Sequence, residues 1–429
     1  MHINDLLVAL INAQASDLHL MVGHPPFIRL HGDLTPMPQV AAFSEPDLKT
    51  LLFSILTEEQ VQHFEYDPNA RFELDFAYGL TGVGRFRFNI HKQRGTLGAT
   101  VRALSSRIPS FEEIGAPPII KEIIRVKKGM ILVTGPTGSG KSTTLAAIID
   151  YINSSEPYHI LTIEDPVEYM HQSKKSLVTQ REVGPASDTL SFKNALKYAL
   201  RQDPDVILIG EMRDPETIEI ALTSAETGHL VFGTLHTSSA AQTVNRIIDV
   251  FPADKQPLII TQLAANLQSV LSQILLQRAD GNGRALAMEI MRCTPAIRNG
   301  IRMNKIETIN QTIQTGSTMG MQSMDQCIVR LVASGIVARD TAEPYIKDEV
   351  GRRELEELAV RGSIPENSAP PHKTAAQLHR PADPPPRPAP PAANPAAANR
   401  PVQPAQQPQD AKAAPQRLGR TVIPPWEQQ

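Results

Sequence analysis

The sequence predicts an α/β fold in three parts: a small α+β N-terminal domain, a larger domain on a mostly parallel sheet, and a disordered tail. Three observations predict it. Short alternating segments crowd residues 1–105. Near-continuous apolar runs interleave with helical patterns over 121–350. From 365 onward the chain turns Pro/Ala/Gln/Asn-rich, holding 17 of the 36 prolines in its last 65 positions.

In the N-terminal part, Leu6, Leu7, Leu10 and Ile11 recur at helical spacing. DLHLMV (17–22) and FIRLHG (27–32) alternate like strands around the turn signal Gly23-His24-Pro25-Pro26. RFELDFAY (71–78), GRFRFNIHKQRG (84–95) and LGATVRAL (97–104) continue an antiparallel set. Pro109, Pro117 and Pro118 punctuate an expected linker over 106–120. Beyond it, MILVT (130–134), HILTI (159–163), DVILI (205–209) and LVFGTL (230–235) are apolar strands. KSTTLAAIIDYI (141–152) and LSFKNALKYALRQ (190–202) are helical patterns between them. The stretch 253–347 is read as helical, with RALAMEIM (284–291) its one strand candidate. The tail 365–429 has too few apolar residues to offset the entropy of ordering it.

Composition narrows the function. The 429-residue chain carries 42 basic and 45 acidic residues, a net −3. Removing 365–429 takes away seven basic and four acidic residues and leaves the body at −6. A grip on nucleic acid through many phosphates needs a basic excess, so no nucleic-acid partner is expected. Two isolated cysteines, Cys293 and Cys327, exclude a four-cysteine zinc site and a disulfide framework. No apolar run approaches the roughly 20 residues of a membrane helix. The first residues lack a basic n-region and are not read as a secretory signal.

The strongest motif is GPTGSGKS (135–142), a GxxxxGK[ST] loop between an apolar strand and a helix. Its members Gly135, Pro136, Thr137, Gly138, Ser139, Gly140, Lys141, Ser142 and Thr143 are the candidate nucleotide-binding residues. Glycines let backbone N–H groups close on phosphates, Lys141 adds charge, and Ser142 offers a hydroxyl to Mg²⁺. ATP and Mg²⁺ are the expected cofactors. Two acidic clusters follow at strand ends: TIEDPVE (162–168), with Glu164, Asp165 and Glu168, and IGEMRD (209–214), with Glu211. One acid must help hold the metal, and another must orient or deprotonate the attacking water. Gly210 stands where an Asp would often precede Glu211. His229 and His236 frame the next strand, and a sensor or phosphate-contact role is expected of them.

GPTGSGKST (135–143), TIEDPVEYMH (162–171), PDVILIGEMRDPET (204–217) and AETGHLVFGTLHTSSA (225–240) stand in fixed order. Together they resemble the Walker A, Asp box, Walker B and His box of the type II/IV secretion ATPases, within which the chain is most similar to the retraction ATPases of type IV pili. SDLHL (16–20) and GRFRFN (84–89) match the N-terminal domain of that superfamily. The resemblance implies a PAS-like domain over 1–105 and a RecA-like ATPase domain over 121–350. It also implies a hexameric ring at the cytoplasmic face of the inner membrane, peripheral to the bilayer and in contact with a pilus platform protein. A paralogous accessory ATPase of the PilU kind is a further implied partner. An accessory pilus or secretion-traffic ATPase is the alternative. By the same resemblance Glu168 is the first choice for catalytic base, with Glu211 on metal and water. An arginine pair separated by one hairpin, Arg87 with Arg102, would stabilise the γ-phosphate across a subunit interface, with Arg94 in reserve. TPAIRN (294–299) matches a segment tied to retraction. Thr294 and Pro295 would open a short helix presenting Arg298 and Asn299 to a partner. The family commonly continues AIRNLIRE where this chain reads AIRNGIRM.

Overall fold

The computed structural model of the chain describes residues 1–30, 33–38, 40–69, 72–104, 107–184 and 187–360. The tail expected over 365–429 lies outside them.

The first sheet contains β1 (Asp17–Met21), β2 (Phe27–Leu30), β3 (Asp33–Pro36), β4 (Glu73–Leu80), β5 (Gly84–Gln93) and β6 (Thr96–Leu104). Their order is β3-β2-β1-β6-β5-β4, with every neighbour antiparallel. Register sorts the side chains into two faces. Leu18, Val101, Phe88 and Phe76 stand in one row and are buried. They share a core with Ile3, Leu6, Leu7 and Leu10 of the helix Ile3–Asn12 and with Leu48, Leu52 and Phe64 of the helices Glu45–Phe53 and Glu58–Tyr66. One residue along, the row is Arg29, Asp17, Arg102, Arg87 and Ala77, and it occupies the opposite face. That alternation makes one face core and the other a charged surface.

The second sheet holds β7 (Gly129–Thr134), β8 (His159–Glu164), β9 (Leu177–Glu182), β10 (Val206–Ile209), β11 (Leu230–Leu235), β12 (Leu267–Gln277) and β13 (Arg284–Arg292). The order is β13-β12-β7-β11-β10-β8-β9, parallel except for β12 against β13. Both faces are covered, as parallel sheets require. Met130, Leu132, Ile207 and Ile209 face a core shared with the helices Pro215–Glu226, Ala240–Asp249 and Gln256–Asn266. Ile131, Val133, Val206 and Leu208 face Leu145, Ile148, Ile149 and Ile152 of the helix Lys141–Ser155.

Three corrections to the sequence reading arise here. Residues 267–277 form a central strand rather than a helix, and 177–182 add an edge strand. The segment 106–120 is also more than a spacer: Phe111 and Ile120 are buried in the second core, with the Phe111 ring 5.5 Å from that of Tyr151.

Candidate functional site

Parallel strands place the phosphate loop and both acidic clusters at one edge of the second sheet. β7 ends at Thr134, the loop follows, and the helix begins at Lys141. Gly135, Gly138 and Gly140 all have positive φ, +145°, +78° and +86°. At Gly135 a Cβ would stand 2.3 Å from the Gln273 carbonyl oxygen and 2.7 Å from Ser139 Oγ, so no larger residue fits. Most long helices of the chain open on a capping side chain, such as Ser191, Asp214, Ser239 or Thr294. The helix Lys141–Ser155 opens on Gly140 with none. Its first-turn N–H groups are left to an anion.

Lys141 Nζ donates to the carbonyls of Gly135 (2.8 Å) and Pro136 (3.2 Å), which folds the ammonium over the loop. Burial pulls it below the ordinary lysine range, opposed by the charges of Glu211 and Glu168. Ser142 is exposed and Thr143 half-buried, with Thr143 Oγ1 3.0 Å from the Tyr169 hydroxyl. Glycine backbone, one cation, a hydroxyl and nearby carboxylates suit a magnesium nucleotide.

The two acidic clusters behave differently. The Glu211 carboxylate meets Arg213 Nε at 2.5 Å and His236 Nε2 at 2.8 Å. Burial raises its pKa, but Arg213 and His236 outweigh burial and hold it below the usual carboxylate range. Gly210 departs from the common acid for a steric reason. A Cβ there would stand 3.1 Å from the Ile163 carbonyl oxygen and 3.2 Å from Glu164 Cα, both backbone. Glu164 accepts from Thr162 Oγ1 (2.7 Å) and Gln180 Nε2 (3.2 Å). Burial pushes its carboxyl up, against those bonds. Glu168 is half-buried, and among the described residues no hydrogen bond or ion pair engages its carboxylate.

The histidines separate. His236 reaches Glu211. His229 stands at the opposite edge of the sheet, where its carbonyl accepts from Gly129 N and its Nδ1–H donates to the Ser224 carbonyl at 3.0 Å. It lines a cleft of about 400 Å³ with Lys127, Tyr158 and Asp205. The structure does not bring it to the loop.

The arginines separate too. Arg87 lies near the Asp-box loop of its own chain, where its charge lowers the Asp165 carboxyl against a larger upward push from burial. Arg102, its register partner, turns to Asp17, with Nε donating to Oδ1 at 2.9 Å. Arg94 sits in the β5–β6 turn with φ +48°. Arg85 makes the firmest contact, an ion pair of 2.7 Å with the buried Glu182 of β9, which also accepts from Ala77 N and Val167 N. Neither Glu182 nor Gln180 carried a sequence signal, because β9 itself was unrecognised. Tyr169 lay inside the Asp-box motif, but nothing in its spacing pointed to Thr143.

The helix Pro295–Arg302 forms as expected, with Thr294 Oγ1 accepting from Ile297 N. Arg298 is a correction. It turns inward, with NH1 donating to the carbonyls of Ala264 (2.6 Å) and Ala265 (2.7 Å) and NH2 to Gln268 Oε1 (3.2 Å). It caps the helix Gln256–Asn266, while Asn299 is exposed. Burial pushes the Cys293 thiol up to about 12 and raises the Cys327 thiol as well.

Comparison with known proteins agrees with this geometry. The profile of the family described as Type II/IV secretion system protein matches residues 101–330. The type IV pilus retractation ATPase PilT of Pseudomonas aeruginosa is 48% identical over 347 residues, covering 81% of this chain and 98% of that protein. The type IV pilus ATPase PilU of the same organism is 38% identical over 342 residues, covering 80% and 88%. A crystal structure of the pilus retraction motor PilT with bound ADP superimposes with a TM-score of 0.75 at 45% identity, covering 83% of this chain and 99% of the other. A phosphate loop, an Asp box, a Glu211–His236 pair and matches of this extent together place the chain in the type II/IV secretion ATPase family.

Proposed function

We infer that the chain is an ATPase that drives type IV pilus retraction by pilin depolymerisation, the process behind twitching motility. The carrying observation is the phosphate loop, with Lys141 inside the fields of Glu168 and Glu211 at one sheet edge. The similarity to PilT supports the pilus assignment. The motor works as a homo-hexamer on the cytoplasmic face of the inner membrane, against a platform protein and alongside a PilU-like paralogue. No described helix is long and apolar enough to cross a membrane, which suits a peripheral position.

When bound, ATP supplies the phosphoryl group and Mg²⁺ offsets its charge. Loop N–H groups and Lys141 hold the phosphates. The Ser142 hydroxyl and Glu211 would hold the metal. Arg213 and His236 keep Glu211 ionised and oriented. Glu168, whose carboxylate no hydrogen bond or ion pair ties among the described residues, takes the proton of the attacking water. Arg87 and Arg102, paired in register on the charged face of the first sheet, would offset the charge developing on the γ-phosphate of a neighbouring subunit.

Purified variants test this reading. Lys141→Ala abolishes ATP turnover. Glu168→Gln binds ATP and turns over at least about a hundredfold more slowly, the range of a lost general base. Wild-type turnover in Glu168→Gln beside a dead Glu211→Gln would move the base to Glu211. Normal twitching in cells carrying only Lys141→Ala would remove the retraction assignment.

A further inference from the structure

Three glycines at positive φ give the phosphate loop great conformational freedom. Something outside the loop must hold it concave. The sheet register identifies the candidate. β12 pairs with β7 up to Ser272 opposite Thr134, and their hydroxyls hydrogen-bond at 2.7 Å. Gln273 is the next residue, level with the point where the loop leaves β7.

Gln273 closes on both ends of the loop. Its carbonyl oxygen occupies the place a Gly135 Cβ would take, 2.3 Å away. Its side-chain Nε2 donates to the Ser139 carbonyl at 2.7 Å and passes 3.4 Å from a Cβ position at Gly140. The residue is 1% exposed. Two atoms of this contact, Gln273 Oε1 and Ser139 Oγ, are buried without a hydrogen-bond partner among the described residues. Buried polar atoms left open mark a place where stability has been given up, here at the seam between β12 and the loop.

We propose that Gln273 is a positioning residue of the nucleotide site: it fixes Gly135 and Ser139–Gly140 in the concave form that receives phosphates. The proposal rests on reading 135–143 as the nucleotide site. Preorganisation of this kind appears as affinity, because the loop no longer has to be ordered at binding.

The test uses the full chain, a fluorescent ADP as probe, and hydrogen exchange of the nucleotide-free protein. Gln273→Met keeps the length and loses the donor. It weakens ADP binding by about tenfold, the upper range for one hydrogen bond, and speeds exchange at amides 135–141 before any nucleotide is added. Gln273→Glu supplies a readout that packing alone would not move. A buried carboxyl keeps its proton to higher pH, and only the protonated form can donate to the Ser139 carbonyl. ADP affinity of this variant is therefore near wild type at low pH and falls as pH rises. The charged groups around the loop are Lys141, Arg284 of β13, Glu168 and Glu211, and the wild-type profile measured in parallel removes their titration. Folded Met and Glu variants that bind ADP like wild type at every pH overturn the proposal. Should neither fold, wild-type exchange decides: ADP must protect 272–274 together with 135–141, and independent protection overturns it. Lys141→Ala separates the two readings, since wild-type ADP affinity there would remove the nucleotide site itself.

Discussion

His229 and His236 bracket the same strand, and the two edges of the sheet give them different work. The six residues of β11 between them put the two about 23 Å apart along the strand. At the carboxyl edge His236 donates to Glu211, beside the phosphate loop. At the amino edge His229 ties the end of the helix Pro215–Glu226 to the start of β11. Parallel topology explains the split, because chemistry collects where strands end. A residue that starts a strand is left with an architectural task. Arg298 belongs to this second class: its three hydrogen bonds all lie at the amino edge.

The comparison breaks most visibly in paired variants. His236→Ala should lower ATP turnover by about 10–100-fold, as for groups that orient a metal ligand. His229→Ala should leave turnover intact and lose one partly buried hydrogen bond, about 1 kcal/mol or less, seen as a lower melting temperature. Equal loss of turnover in both variants would erase the distinction between the edges.

Arg298→Ala comes next in size. A charged donor shared by two helix-end carbonyls and Gln268 is worth about 1.5–3 kcal/mol. Denaturant unfolding should show that loss, and Arg298→Lys should recover only part of it, because an ammonium cannot span the same three acceptors. Wild-type stability of Arg298→Ala would return the residue to the exposed surface where the sequence reading placed it.

These edges differ in how far the sequence revealed them. The loop was legible because its glycines and Lys141 are required by local backbone geometry. Glu211 was legible because an apolar strand delivers it to the correct end. β12 was not: Leu267, Val270, Leu271, Ile274 and Leu275 fall at i, i+3, i+4, i+7 and i+8, a helical stripe by spacing. Packing between β7 and β13 overrides that pattern by burying both faces of the segment. With β12 misread, Gln268 and Gln273 had no place, and Arg298 had no visible reason to turn inward. His229 was misplaced for a simpler reason: it precedes LVFGTL and so sits at the amino end of that strand, away from the edge where ligands collect.

Within the carboxyl edge, Glu164 and Glu211 titrate in opposite directions, which sharpens the comparison by pH. Glu211 is lowered, so its ionised form contributes stability above the unfolded-state value, and that contribution is lost as pH falls through the folded value. Glu164 is raised, so its stability falls as pH rises through the folded value and the cost is fully present above it. At neutral pH without nucleotide, Glu211→Gln should melt lower and Glu164→Gln higher, each by about 1–3 °C. Both differences should vanish in acid, where the wild-type carboxyls are protonated. Shifts of the same sign would show that burial does not govern Glu164.

The smallest effect belongs to Gly300, inside the helix Pro295–Arg302. Glycine costs a helix interior about 1 kcal/mol relative to alanine. The position is nevertheless tight: a Cβ would stand 3.2 Å from Ile309 Cγ1, and Ile309 is fully buried. Gly300→Ala therefore gains helix propensity and strains the crossing of Pro295–Arg302 with the helix Ile306–Thr315. The two effects nearly cancel, leaving a change within about 0.5 kcal/mol. A double-mutant cycle separates them. In an Ile309→Ala background the obstructing atom is gone, and Gly300→Ala should then stabilise by about 1 kcal/mol, the full propensity gain. If the gain is the same in both backgrounds, Ile309 does not hold the helices apart. The crossing at the amino edge would then tolerate leucine without repacking.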